Sequence, residues 1–163
     1  MKRIQEYSLW LFLCFGALGL GATVYQMMVI VPAFAHNLPD SLLAFNQSAV
    51  KTAVFWTSPW MRLGALTGLI ALIVHWRTAR RAWLMAALAL IILAFGFTFI
   101  YFYPRLAMMG FTLQGQPAVT DGKLLARAAS EWVSADQWRF WTMIVPAYLC
   151  SLKALSIPLA RES

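Results

Sequence analysis

The sequence contains little charge and few of the side chains that carry most protein chemistry. Only 12% of its 163 residues are charged, and it has six acids, two histidines and two cysteines. His36 and His75 lie in different segments, and no His-Glu-x-x-His, paired Glu-x-x-His or Cys-x-x-Cys pattern occurs. The sequence therefore argues against the usual zinc, di-iron and haem sites and against a thiol oxidoreductase. Cys14 and Cys150 are predicted to be buried apolar thiols.

Long apolar segments are what the sequence has in abundance, since 61% of its residues are hydrophobic. Four segments, at about 7–34, 50–76, 82–103 and 140–159, are long enough to cross a hydrocarbon core of about 30 Å as helices. Strands of a membrane barrel alternate in polarity, whereas these segments are apolar on nearly all sides. We therefore predict an all-α fold, a single transmembrane domain over 1–163 built as a polytopic four-helix bundle. A short interfacial helix, capped by Thr120 or Asp121, is predicted in the outer loop between the third and fourth spans.

The net charge of +7 fits a membrane protein better than a nucleic-acid-binding protein, because basic residues mark cytoplasmic loops and meet anionic headgroups. Basic residues cluster in the connection between the second and third segments and near both termini: Arg77, Arg80, Arg81, Lys2, Arg3 and Arg161. We expect a bacterial inner-membrane protein with both termini in the cytoplasm. The expected partners are the lipid bilayer and a hydrophobic small molecule, without nucleic acid; a homo-oligomer is the alternative to a monomer.

Arg62 is the least expected residue of the apolar segments. It follows Pro59 and lies roughly 21 Å along the helix from the inner interface, within the outer third of the hydrocarbon. A guanidinium at that depth either extends to the headgroups or finds a partner inside the bundle. In the second case Asp136, Glu131 or an anionic ligand atom would bind it.

Further polar and aromatic residues fall near the predicted outer ends of the spans. Trp132, Asp136 and Arg139 are spaced by four and three residues and so share one helical face. Asp136 and Arg139 either pair with each other or hold a ligand. Aromatic residues near span ends indicate interfacial belts: Trp10, Trp56, Trp60, Trp76, Trp83, Tyr101, Tyr103, Trp138 and Trp141.

Small and soft side chains support two more interpretations. Gly16, Gly19 and Gly21 in the first span are predicted to let another helix approach closely. Methionines collect toward the outer half, with His36 nearby in sequence, and could suit Cu(I), although packing is the alternative.

Several short motifs follow one another in a recognisable order. They are Tyr25-Gln26, Val31-Pro32, Pro39-Asp40-Ser41-Leu42, Phe45, Tyr103-Pro104, and then Trp132, Asp136 and Arg139. In this order the chain resembles the anthrone-oxygenase-like family, a domain-of-unknown-function family of small four-helix integral membrane proteins. Two polar positions depart from the family pattern. Asp136 stands where asparagine is expected, and Arg105-Leu106 stands where threonine-asparagine is common.

The resemblance implies a function as well as a fold. A few fungal relatives are associated with oxygenation of anthrones without a metal or organic cofactor, which needs an apolar pocket, a base and groups that stabilise an enolate. By this resemblance the chain would be a cofactor-independent oxygenase acting on a hydrophobic aromatic or phenolic substrate. Its candidate catalytic residues are Asp136, Arg62 and Arg139, and its candidate ligand-binding residues are Tyr25, Gln26, Tyr101, Tyr103 and Trp132. The alternative is a non-catalytic partner subunit or lipid-binding module whose polar residues tie the helices together.

Overall fold

A computed structural model describes residues 2–37, 40–47, 59–109 and 121–158, and this part of the chain is almost entirely helical, without a strand. The prediction of an all-α fold is thereby confirmed. The α-helices are α1 (Lys2–Tyr25), α2 (Val31–Ala35), α3 (Asp40–Gln47), α4 (Pro59–Val74), α5 (Arg81–Phe97), α6 (Tyr103–Met108), α7 (Gly122–Arg139) and α8 (Val145–Ser156). Three π-helical turns join them: π1 (Gln26–Ile30), π2 (Thr98–Phe102) and π3 (Phe140–Ile144).

Two helical stretches, Arg3–Ala35 and Arg81–Met108, are long and apolar enough to cross a membrane. Within their most apolar windows only 17% and 22% of the residues are buried, so both helices present mostly apolar surface to their surroundings. They coincide with the first and third predicted segments. The apolar helix Arg62–Val74 is shorter, and residues 50–58 of the predicted second segment lie outside the described residues.

Each π turn ends two residues before a proline. These prolines are Pro32, Pro104 and Pro146. Proline has no N–H to donate, and its ring crowds the carbonyl four residues earlier. A wider turn relieves both problems, and accordingly the N–H groups of Val31 and Tyr103 reach back five residues to the carbonyls of Gln26 and Thr98. The helix therefore continues beyond the end of the third predicted segment at about 103, because α6 extends it to Met108.

The described residues divide into two compact units. The first consists of Met1–Gly21, Pro59–Ala94 and Trp141–Ser163. Its core contains Leu9, Phe12, Leu13, Ala71, Leu84, Ala87, Leu88 and Ala154. Cys14 is exposed and Cys150 is partly buried. The prediction of two buried thiols is therefore wrong for Cys14, because the buried face of α1 follows Leu9, Phe12 and Leu13.

A buried arginine closes the end of α8 in this first unit. Arg80 is only 5% exposed, and its guanidinium donates to the carbonyl oxygens of Ile157 at 2.8 Å and Leu155 at 3.4 Å. Carbonyls at a helix C-terminus have no partner within the helix, so the arginine satisfies them. Burial lowers the pKa of Arg80, and the nearby charge of Glu6 opposes this effect. The cluster of basic residues around Arg80 predicted only a charged cytoplasmic loop and gave no sign of this structural role.

The second unit consists of Ala22–Ser58 and Phe95–Phe140. Its core contains Ile30, Val31, Phe34, Leu42, Phe102, Met109, Leu125, Ala128, Ala129 and Trp132. Asp121 caps α7 as predicted, since its carboxylate accepts from the Lys123 N–H at 2.8 Å. Helical residues then continue without a break from α7 through π3 into α8. The division into one transmembrane domain over 1–163 stays a prediction.

Glycine positions differ in how much space surrounds them. A Cβ on Gly16 would lie 3.2 Å from the Tyr148 ring, whereas one on Gly19 or Gly21 would meet no described atom within 4 Å. The predicted close packing is therefore limited to Gly16 and involves a side chain. The tightest site is Gly68, where a Cβ would lie 2.8 Å from both the Phe12 ring and a Leu88 methyl group.

We predict that Gly68→Ala destabilises the protein. The added methyl group must displace the Phe12 ring, and overpacking of this kind costs about 1–3 kcal/mol. Gly21→Ala is the matched control, because it adds the same methyl group to a helix with open space and should be neutral or stabilising by about 0.5–1 kcal/mol. Free energies of unfolding of the purified variants in detergent micelles provide the comparison. Equal stability of the two variants would contradict the assignment of Gly68 as a packing site.

Candidate functional site

A buried carboxylate lies at the centre of the second unit. Asp136 is 1% exposed, and its two oxygens accept hydrogen bonds from different helices. Oδ1 accepts from Arg139 Nη2 at 2.5 Å, and Oδ2 accepts from Gln26 Nε2 at 3.2 Å. The carboxylate is thus neutralised by a cation one turn along its own helix and connected to the first turn of π1.

Arg139 extends the same set of contacts to a third helix. Its Nη1 donates to Thr98 Oγ1 at 2.6 Å, and its guanidinium lies over the Phe102 ring at 4.6 Å from the ring centre. Gln26 and Thr98 are the first residues of π1 and π2, and Arg139 is the residue before π3. We call Gln26, Thr98, Asp136 and Arg139 the buried polar network. It joins three segments at the points where their α-helices change to π turns.

Aromatic side chains pack around this network. Trp132 is buried and packs edge-on against Phe34 and Phe102, with ring centres 5.9 and 5.7 Å apart. The Trp132 Nε1 and Arg139 Nε atoms are buried without a hydrogen-bond partner among the described residues. Charged groups in such a setting interact strongly when paired and are costly when alone.

An open groove of about 550 Å³ lies beside this network in the second unit. One wall consists of Phe97 and Tyr101, whose rings stack with centres 5.0 Å apart and an interplanar angle of 6°. The α7 wall consists of Ser130, Glu131, Ser134, Ala135 and Trp138, and the Trp138 ring lies 5.5 Å from that of Phe97. We call this feature the aromatic groove. The groove is open along one side, so a molecule bound in it would keep part of its surface exposed.

One end of the aromatic groove is charged. Glu131 Oε2 accepts from Arg105 Nη2 at 2.7 Å and Nε at 3.1 Å, and Oε1 accepts from Arg127 Nε at 2.9 Å. Arg105 also donates to the Tyr101 carbonyl at 3.0 Å and lies 3.7 Å from the centre of the Tyr101 ring. Hydrogen bonds from Arg105 first, and then from Arg127, hold the pKa of Glu131 below its ordinary value.

The structure brings some of the predicted site residues together. Gln26, Asp136 and Arg139 contact one another directly. Trp132 is packed against Phe102, the ring over which Arg139 lies, and Tyr101 lines the aromatic groove. Asp136 and Arg139 thus pair, which is one of the two alternatives that their spacing allowed.

Other predicted site residues are not part of this arrangement. Tyr25 and Tyr103 are exposed and belong neither to the described network nor to the groove lining. Arg62 belongs to the first unit, has an exposed side chain and enters none of the ion pairs of the described residues. The interpretation in which Asp136 or Glu131 binds Arg62 stays a prediction. Both acids are already paired with arginines of the second unit.

Three features of this arrangement were not predicted from the sequence: Thr98, Phe97 and the pairing of Arg105 with Glu131. Thr98 is a polar residue six positions before a proline, the same spacing as that of Gln26 before Pro32, and this repeated spacing was the available signal. Phe97, Tyr101 and Arg105 also recur every four residues, which places them on one helical face. No comparable signal indicated which of the basic residues would reach Glu131.

Comparison with known proteins adds no assignment. No family model matches this chain, and no curated protein or solved structure matches it significantly.

We predict that Arg139→Met destabilises the protein by about 3–5 kcal/mol, because it leaves the Asp136 carboxylate buried without a cation. Arg127→Met is the matched control on the same helix, where an exposed ion pair contributes about 0–1 kcal/mol. Unfolding of the purified variants in detergent micelles measures both effects. Similar decreases in the free energy of unfolding for the two variants would show that the buried ion pair contributes no more than the exposed one.

We also predict that the contribution of Glu131 depends on pH. Because the folded-state pKa of Glu131 lies below its ordinary value of 4.5, its stabilisation is complete above pH 4.5 and is lost as pH falls through the lower folded-state pKa. The midpoint of thermal unfolding should be lower for Glu131→Gln than for wild type at pH 7. This difference should close in acid, and a difference that persists unchanged to pH 2 would count against the pairing.

Proposed function

We propose that this chain is a small integral membrane protein that binds an apolar ligand in the aromatic groove. In this proposal it is a four-helix bundle with spans at about 7–34, 50–76, 82–103 and 140–159, and α7 is an outer helix that leads into the fourth span. Both termini would lie in the cytoplasm of a bacterial inner membrane.

A bilayer is the medium that suits the exposed surface. Large apolar side chains remain exposed along the two long apolar helices, among them Leu18, Ile92, Leu93, Phe99 and Ile100. In water such contiguous apolar surface would be unfavourable, whereas lipid tails solvate it. Exposed Trp76 and Trp83 lie near the basic 77–81 segment, which suits an inner headgroup region.

Residues of two distant motifs contact each other in the structure. Gln26 and Asp136 are 110 positions apart in sequence, yet they share a buried hydrogen bond. Arg139 completes the same network. These contacts tie π1 to α7 within the second unit.

The geometry favours binding over catalysis by Asp136. Its two carboxylate oxygens already accept hydrogen bonds from Gln26 and Arg139, and it is not among the groove-lining residues. A base must reach the proton that it removes. The single observation that carries the binding proposal is the groove itself, in which the Phe97, Tyr101 and Trp138 rings border an open space of about 550 Å³.

The test is to block the groove and measure binding of an apolar aromatic probe. In lipid nanodiscs, anthrone should bind wild-type protein, and Ser134→Trp should weaken this binding by at least about tenfold because the indole occupies the groove. Gln137→Trp is the matched control, since it adds the same ring at an exposed neighbouring position that does not line the groove. Equal weakening by both variants, or no binding to wild type, would refute the proposal.

Oxygenase activity can be measured in the same samples. Absorbance spectroscopy follows conversion of anthrone, and the binding proposal expects the same slow conversion with wild type, Asp136→Asn and Arg62→Met as without protein. Conversion by wild type that is lost in Asp136→Asn would instead support the catalytic roles that the family resemblance implies.

A further inference from the structure

The aromatic groove changes character along its length. Residues at intervals of about four line both walls, so the two ends are roughly 10 Å apart at the helical rise per residue. Phe97 and Trp138 face each other at the apolar end. Glu131 lines the charged end, where Arg105 binds it from outside the lining, and Tyr101 lies between the two ends. The groove therefore offers one apolar slot with a polar end, which is the pattern of an amphiphile with a single chain.

The hydrogen-bond donors that remain available at the charged end are those of arginine side chains. Oε2 of Glu131 accepts two hydrogen bonds from Arg105 and Oε1 accepts one from Arg127, so two cations already compensate its negative charge. Arg105 is held by Glu131 and by the Tyr101 carbonyl. Arg127 gives only its Nε to Glu131, and its side chain is 77% exposed, so its terminal Nη groups face the surroundings. Two guanidinium groups against one carboxylate leave a net charge of +1 at this end.

We infer that the ligand of the aromatic groove is a single-chain anionic amphiphile, such as a long-chain fatty acid. Its headgroup binds Arg127, which Glu131 positions, and its chain lies along Tyr101, Phe97 and Trp138. This inference rests on the proposed function, because it names the ligand class of the same groove. In the proposed topology Arg105 follows the end of the third span and Phe97 lies within it. The orientation therefore matches that of an amphiphile in the outer leaflet.

The test uses a dodecanoic acid that carries a photoreactive diazirine at the end of its chain. It is added at pH 8 to protein in phosphatidylcholine nanodiscs and then irradiated. Crosslinks should fall on peptides that contain Phe97 or Trp138 and should disappear in Ser134→Trp. Dodecanesulfonate should compete at a concentration at least about five times lower than dodecyltrimethylammonium or dodecanol.

Charge variants separate headgroup recognition from groove binding. Arg127→Gln should weaken competition by dodecanesulfonate about two- to fivefold, the range expected for one exposed charge contact. Arg77→Gln, which removes an exposed arginine of the first unit, should not change it.

The outcomes distinguish the two proposals. Equal competition by the anionic, cationic and neutral amphiphiles would overturn the inference of an anionic ligand while leaving groove binding intact. Equally effective competition by phosphatidylglycerol would overturn the assignment to a single-chain ligand. Crosslinks outside both groove walls would overturn the inference, and the anthrone measurement with Ser134→Trp would then decide separately whether the groove binds apolar ligands at all.

Discussion

The second unit depends on one buried ion pair. Asp136 and Arg139 are one turn apart on α7, and each also reaches another helix, at Gln26 and at Thr98. Neither charge could be buried alone, since an unpaired ion in an apolar environment is strongly unfavourable. The pair therefore fixes which face of α7 turns inward. As a result, the neighbouring face of α7, with Glu131 and Trp138, lines the aromatic groove.

Prolines determine where this network can form. Each π turn accommodates a proline two residues beyond its end, and the polar partners Gln26 and Thr98 are the first residues of two such turns. Arg105 donates to the carbonyl of Tyr101, a residue of π2, and also binds Glu131 at the charged end of the groove. The π turns thus hold residues of the buried network and a contact of Arg105.

Much of the fold could be predicted because it follows from composition and helical spacing. The first and third apolar segments, the Asp121 cap of α7 and the shared face of Trp132, Asp136 and Arg139 required only local information. The charge partners could not be predicted in the same way. Asp136 and Glu131 each had several arginines within plausible reach, and the choice between them depends on how the helices pack. Arg62 was a candidate site residue because of its predicted depth in the hydrocarbon, yet its side chain is exposed.

The decisive measurement is a double-mutant cycle on the buried pair, with Asp136→Leu, Arg139→Met and the two combined. Each single variant leaves one charge unpaired, whereas the double variant leaves none, and replacing a whole buried pair with apolar residues is often nearly neutral. The account predicts that the double variant is more stable than either single variant in detergent micelles, with a coupling energy of at least about 2 kcal/mol. Additive losses, with the double variant the least stable of the three, would contradict it.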